Sequence, residues 1–268
     1  MVSERVRPRS FARFTEDLQG HGHYTFTKQE AITSLHISDN AFHKAAHRLI
    51  REKSVIRVVN EFYAVVPAEY RASGGLPATH YIDALMKFRQ QPYYVGVLSA
   101  AALHGAAHQA TQELQVVTTK PMPMIRAGRT RIRFLTKHRL AETPVQPVKT
   151  PSGYIQVSTP EATAIDLLLY PRIAGGLNNI ATVLTELSEV IDPEKLARIA
   201  ASTKASYIQR LGYLMDQVGA EKLTGSLTRC LKKQRWDYIP LRPGWKSSSI
   251  KRDSKWRVIV NEIVEADI

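Results

Sequence analysis

Five polar side chains on one helix-forming stretch carry the clearest chemistry in this sequence. Asn40, Lys44, His47, Arg48 and Arg51 fall on one side of a helix at 100° per residue. An asparagine presents a donor and an acceptor in one plane, arginine a donor fork and lysine a point charge. That is the set that reads base edges and grips phosphates in a DNA major groove. Behind them Phe42, Ala45, Ala46, Leu49 and Ile50 form an apolar stripe at i, i+3, i+4, i+7 and i+8 spacing. The same pattern fits an ordinary surface helix with a solvated face, so the flanking elements must decide. Asp39, one residue ahead, would approach DNA and either repel phosphate or accept from a cytosine amino group.

Little else in the chain suggests catalysis. It has no GxxxxGK[ST] phosphate loop, no GxGxxG, no GxSxG elbow and no HExxH helix. His21 and His23 flank Gly22 without cysteines or carboxylates at ligand spacing, which fits a loop between helices. His104, on a small-residue helix, fits a satisfied core or interface histidine. Asp253-Ser254-Lys255 has the D-x-K form of a nuclease site but lacks an upstream metal-binding acid. Glu161 after Thr159-Pro160 is accounted for by helix capping, and a lone helix cysteine such as Cys230 is usually a packing residue. The expectation is a binding protein rather than an enzyme, with no catalytic residue, no metal and no cofactor.

Charge gives a second, coarser signal. The 268 residues hold 37 Lys/Arg against 24 Asp/Glu, a formal net charge of +13. Such a balance favours a polyanionic partner, nucleic acid first, and a ribosomal or anionic-lipid surface would share it. Residues 1–75 carry 11 basic against 8 acidic side chains and residues 76–268 carry 26 against 16, so the five-residue helix face is not in the most basic part. One dense group comprises Arg126, Arg129, Arg131, Arg133, Lys137 and Arg139. Strand alternation puts Arg131, Arg133 and Lys137 near one face, where they could track phosphates. A second group comprises Lys232, Lys233, Arg235, Arg242, Lys246, Lys251, Arg252, Lys255 and Arg257. Either group fits equally a solubilising surface or a patch for an acidic protein. The single cysteine fits a reducing cytoplasm, the first residues lack the apolar core of a signal peptide, and no apolar run reaches the ~18 residues of a membrane span.

The elements that must position these groups follow from local signals. Residues 1–9 read as a basic arm. Residues 10–19 form a first helix with Phe11, Phe14 and Leu18 inward. Thr27 and Glu30 make a capping box for a second helix, and Ser38 caps the third, which carries the five polar residues. Residues 54–66 read as two strands around Asn60-Glu61, ended by Pro67, with Arg57 able to reach the sugar–phosphate backbone. Three helices followed by a hairpin is the order of a winged helix-turn-helix over residues 1–67. Residues 68–78, with two glycines and a proline, read as a linker. A larger mixed α/β domain follows over 79–268: helices at 79–91 and 93–105, strands at 113–119, 131–137 and 154–158, and a helix capped by Thr159. Four more helices run to about residue 235, and a last strand at 256–264 returns to the sheet of the earlier ones. The fold class is α+β.

Three stretches carry a more specific likeness. LSAAALHG (98–105), STPEATAIDLL (158–168) and GGLNN (175–179), set between a winged helix and a closing KWRVIVNEIVEADI, resemble the AbiEi antitoxins of type IV (AbiE) toxin–antitoxin operons over nearly the whole chain. The resemblance implies a repressor whose winged helix binds inverted repeats in double-stranded promoter DNA. It also implies a C-terminal domain that counters a nucleotidyltransferase-like toxin, directly or indirectly, and whose basic face adds to DNA binding. It puts Asn40, Lys44, His47, Arg48 and Arg51 at the major groove or its phosphates and Arg57 on the wing. It nominates no residue for the antitoxin activity. The alternative is a winged-helix regulator with no toxin partner, whose C-terminal domain senses a ligand or oligomerises.

Overall fold

A computed structural model describes residues 10–72, 74–106, 113–232, 235–245 and 251–266, so the arm at 1–9 lies outside the described residues. The chain divides into two compact units. The first comprises Met1–Tyr93, Gln112–His138 and Pro147–Gln156; the second comprises Tyr94–Thr111, Arg139–Gln146 and Val157–Ile268.

In the first unit, α1 (Phe11–Gly20) is followed by β1 (Thr25–Thr27), α2 (Lys28–Leu35), α3 (Asp39–Arg51), β2 (Val55–Val59) and β3 (Phe62–Val65). Each helix start is fixed by a side chain. Ser10 Oγ accepts from Arg13 N, and Ser38 Oγ accepts from Ala41 N at 3.3 Å. The capping box is present: Glu30 accepts from Thr27 N at 2.6 Å while Thr27 Oγ1 accepts from Glu30 N at 3.2 Å. The helices close on one aromatic core. Phe11, Phe14, Phe26, Phe42 and Tyr63 meet with ring centroids 5.4–5.9 Å apart, the Phe26–Tyr63 pair stacked and most others edge-on. Strand order is β1-β3-β2, all antiparallel, and Arg57 stands opposite Tyr63 just before a bulge. The three-residue β1 was not expected from the sequence.

The chain goes on through α4 (Ala68–Arg71) and α5 (Ile82–Phe88) to β4 (Tyr93–Val95). The 68–78 stretch read as a linker holds α4 and buries Leu76 completely. Also in this unit, β5 (Glu113–Thr118) pairs in parallel with β7 (Thr130–Thr136), and β6 (Ile125–Ala127) pairs antiparallel with β7. At the β6–β7 turn, Gly128 has φ 61° and comes so close to Gly74 that a Cβ there would lie 2.6 Å from the Gly74 carbonyl oxygen. Only glycine fits that approach.

The second unit contains α6 (Val97–Leu103), α7 (Pro160–Leu169), α8 (Gly176–Leu187), α9 (Pro193–Ser202), α10 (Ala205–Gln217) and α11 (Glu221–Leu231). The stretch expected to be helical from residue 93 therefore begins as strand β4, since Tyr-Tyr-Val favours extended backbone. Strands β8 (Val145–Thr150) and β9 (Gly153–Ser158) straddle the unit boundary, and Val95 of β4 pairs in parallel with Val157 of β9. Strands β10 (Ile239–Pro240), β11 (Lys251–Asp253) and β12 (Val258–Val260) form a sheet of their own, ordered β10-β12-β11. The closing strand therefore does not return to the earlier sheet. It is held by Trp256, wholly buried against Gly212 of α10, where a Cβ would sit 2.3 Å from the indole. Gln209 Nε2 adds hydrogen bonds to the Asp237, Trp256 and Arg257 carbonyls. Pattern marks a strand, but its partner is set by these non-local contacts.

Candidate nucleic-acid interface

The outward face of α3 is built by its inward one. Phe42, Ala46 and Leu49 are buried, which fixes the rotation of the helix and leaves Asn40, Lys44, His47, Arg48 and Arg51 exposed. Among the described residues Lys44 and Arg51 have no acidic partner, and Arg48 reaches Glu52 only at 4.0 Å. Such a pair on a solvated helix is weak. Asp39, the residue that seemed ill-placed beside DNA, is bound by Lys28 and lies 3.1 Å from His43. The Lys28 hydrogen bond, followed by its charge, holds the Asp39 carboxyl below its ordinary pKa, and the same contact holds Lys28 above its own. The acid at the head of α3 is thus paired with Lys28 while its side chain stays 59% exposed.

Residues distant in sequence come to the flank of this helix. A groove of about 870 Å³ runs between α3, β2 and the β6–β7 turn, and Arg57, Arg126 and Arg129 line it together with His47. Sequence reading had put these in separate groups. It missed His43, Lys53 and Arg71, which line the same groove; Arg71 sits in the stretch read as a linker, and its Nε donates to the Val66 carbonyl at 3.2 Å. Arg126 stands directly opposite Arg131 across the β6–β7 pair, both exposed.

The remaining members of the two basic groups are placed differently. Arg133 is tied to Glu113 at 2.6 Å, which raises the pKa of its guanidinium and spends its charge within the unit. Lys137 follows the last residue of β7 and is half-buried. Arg139 belongs to the second unit and lies 3.7 Å from Glu142. In the C-terminal group, Arg242, Arg252, Lys255 and Arg257 each lie over an aromatic ring, respectively Trp245, Tyr238, Trp256 and Trp236. Arg242 also pairs with Glu262 and Lys255 with Asp216. Lys233 and Lys246 lie outside the described residues.

The groups considered for catalysis have structural partners. Asp253 Oδ1 accepts from Trp256 N at 2.7 Å, so the D-x-K sequence is a turn whose acid and lysine are both engaged. Glu161 Oε1 accepts from Asp192 N at 2.9 Å, joining the start of α7 to that of α9, while its buried Oε2 has no hydrogen-bond partner among the described residues. His104 Nε2 lies 2.7 Å from the Ser158 carbonyl, and Ser158 Oγ meets Thr163 Oγ1 at 2.7 Å. The LSAAALHG and STPEATAIDLL stretches are thereby packed on one another by buried polar contacts, to which Tyr94 adds a 2.8 Å hydrogen bond to Asp166. Among the described residues no group of three His, Cys, Asp or Glu could hold a metal, and no helix is long and apolar enough to cross a membrane.

Comparison with known proteins places part of the chain in a described family and finds a solved structure of similar fold. Residues 94–217 match the family described as the AbiEi antitoxin C-terminal domain. A crystal structure of the RV2827C protein from Mycobacterium tuberculosis superposes with a TM-score of 0.65 at 14% identity, covering 92% of this chain and 90% of that one. At that identity the likeness is one of fold alone. No curated protein matches the chain.

Proposed function

We propose, from the match of residues 94–217 to the AbiEi antitoxin C-terminal domain family, that the protein is the antitoxin of a type IV toxin–antitoxin pair and represses its own operon. In this reading α1–α3 with the β2–β3 hairpin are a winged helix-turn-helix, α3 enters the major groove and the hairpin carrying Arg57 is the wing. The domain that counters a nucleotidyltransferase-like toxin lies within residues 79–268. The protein works in the cytoplasm, beside the DNA it reads, and does no chemistry of its own.

One observation carries the reading. Asn40, Lys44, His47, Arg48 and Arg51 stand exposed on a capped helix whose only leading acid is bound back by Lys28. Thirteen residues make a helix about 20 Å long, enough to lie in a groove about 12 Å wide with two or three turns in contact. Arg126 and Arg131 on the neighbouring hairpin give backbone grip without sequence choice.

Fluorescence anisotropy with a labelled duplex from upstream of the protein's own reading frame tests the DNA half. Tight binding that a scrambled duplex does not compete supports the reading; equal affinity for both duplexes refutes it. Co-expression with the adjacent reading frame tests the other half: rescue of growth is expected, and no toxicity from that frame alone would favour a regulator without a toxin partner.

A further inference from the structure

The groove beside α3 has a composition that a DNA backbone does not require. It is lined by Lys53, Arg57, Arg71, Arg126 and Arg129 with His43 and His47, and among the described residues no aspartate or glutamate lines it. The apolar surface of its floor comes from Ile50 and Ile56, with Ala46, Val55 and Val66 buried behind them. A phosphate backbone needs only the cations, whereas a floor of this kind takes a ring. The volume, about 870 Å³, falls in the range of small-molecule sites, roughly 300–1,000 Å³. A separate feature of the β6–β7 pair points to an anion. Arg126, which lines the groove, is directly opposed by Arg131, which does not; like charges so placed favour a negative group beside them. The Gly74–Gly128 approach and the Gly74 carbonyl, which accepts from Arg129 N at 3.0 Å, fix this turn against the rim.

We propose that the groove binds a nucleoside polyphosphate, its phosphates held by Arg57, Arg126 and Arg129 and its base laid on the apolar floor, and that this ligand and operator DNA exclude one another. The phosphates occupy the cations that otherwise face DNA, and the ligand lies against the flank of α3 at His43, His47 and Ile50. The exclusion rests on α3 being the DNA-reading helix; the ligand site does not. The protein thus releases its operator in response to a soluble phosphorylated metabolite.

Isothermal titration calorimetry of the full chain with ATP, GTP and inorganic triphosphate decides the point. Saturable one-to-one binding of a nucleotide in the micromolar range is expected, with inorganic triphosphate about tenfold weaker for want of the floor contact. Arg126→Ala should weaken nucleotide and triphosphate alike, by about tenfold. Ile50→Ser, at a partly exposed position, should weaken nucleotide only. Bound nucleotide should raise the apparent Kd of the operator duplex. Absence of saturable nucleotide binding by the unmodified chain overturns the proposal whatever the variants do. So does nucleotide binding unchanged in both variants, or binding that leaves operator affinity untouched. A chain that binds operator but no nucleotide sinks this inference and leaves the proposed function standing; one that binds nucleotide but shows no operator preference sinks the proposed function and the exclusion and leaves the ligand site alone standing.

Discussion

On the proposed function, replacing Lys44 and Arg48 together by alanine should separate DNA reading from toxin neutralisation. Both side chains are exposed on α3, and Phe42, Ala46 and Leu49, which hold the helix to its core, are untouched. Folding stability should change by no more than about 0.5 kcal/mol, because the Arg48–Glu52 contact is 4.0 Å long on a solvated face and alanine is a better helix former. Operator binding should change far more. A side chain engaging a base edge is worth about 1–3 kcal/mol of discrimination, and one on a phosphate adds about 0.9 to the log–log salt slope. With one of each kind lost, affinity for the operator should fall about 100-fold and approach that for a scrambled duplex. Anisotropy titrations on both duplexes at several salt concentrations measure this, with a urea melt as the folding control. Protection against the toxin in co-expressed cells should persist. An operator affinity within about threefold of the unmodified protein, at unchanged stability, would refute the assignment of α3 as the reading helix.

Four further outcomes follow from the same contacts. Thr27→Ala removes one half of the capping box at α2 and should cost about 1 kcal/mol in a urea melt, with Thr27→Ser restoring most of it. Gly212→Ala drives a methyl into the Trp256 indole and should cost at least about 2 kcal/mol, whereas alanine at Gly225, where nothing lies within 4 Å, should be neutral or mildly stabilising. The Lys28–Asp39 contact has a definite pH signature. The carboxyl is depressed in the folded state, so its contribution is present above the unfolded value near 4 and is lost as pH falls through the lower folded value. The stability difference between the unmodified protein and Asp39→Asn should therefore shrink to nothing on acidification, and a difference constant with pH would contradict the pairing. Purified protein incubated with duplex DNA and magnesium should leave the DNA intact, because Asp253 and Lys255 are already engaged by Trp256 N and Asp216; cleavage lost in Asp253→Asn would reverse that view.

What sequence revealed here tracks how local each determinant is. The starts of α2, α3 and α7 were legible because a capping side chain lies within three residues of the amide it satisfies. The β2–β3 hairpin was legible from β-branched residues around a two-residue turn. Strand β1 was not, since three residues carry no period and its pairing with β3 lies nearly forty residues on. Strand β8 went unread because Gln146, Pro147 and Lys149 look like a loop; it is an edge strand, where proline costs no ladder bond. The fate of charge was the least legible. Arg126, Arg131 and Arg133 are near neighbours in sequence, yet Glu113, 20 residues upstream of Arg133, claims that charge while Arg126 stays open to the groove. Arg71 was hidden in a stretch whose glycines read as a linker but serve a close backbone approach.

Footprinting of the full-length protein on the DNA upstream of its own reading frame tests the central claim most directly. Protection of two inverted half-sites, with centres about 10–10.5 base pairs or a multiple apart, is the expected result, and the Lys44→Ala, Arg48→Ala protein should lose it at the same concentration. Uniform protection without half-sites, or a footprint that survives those substitutions, would contradict it.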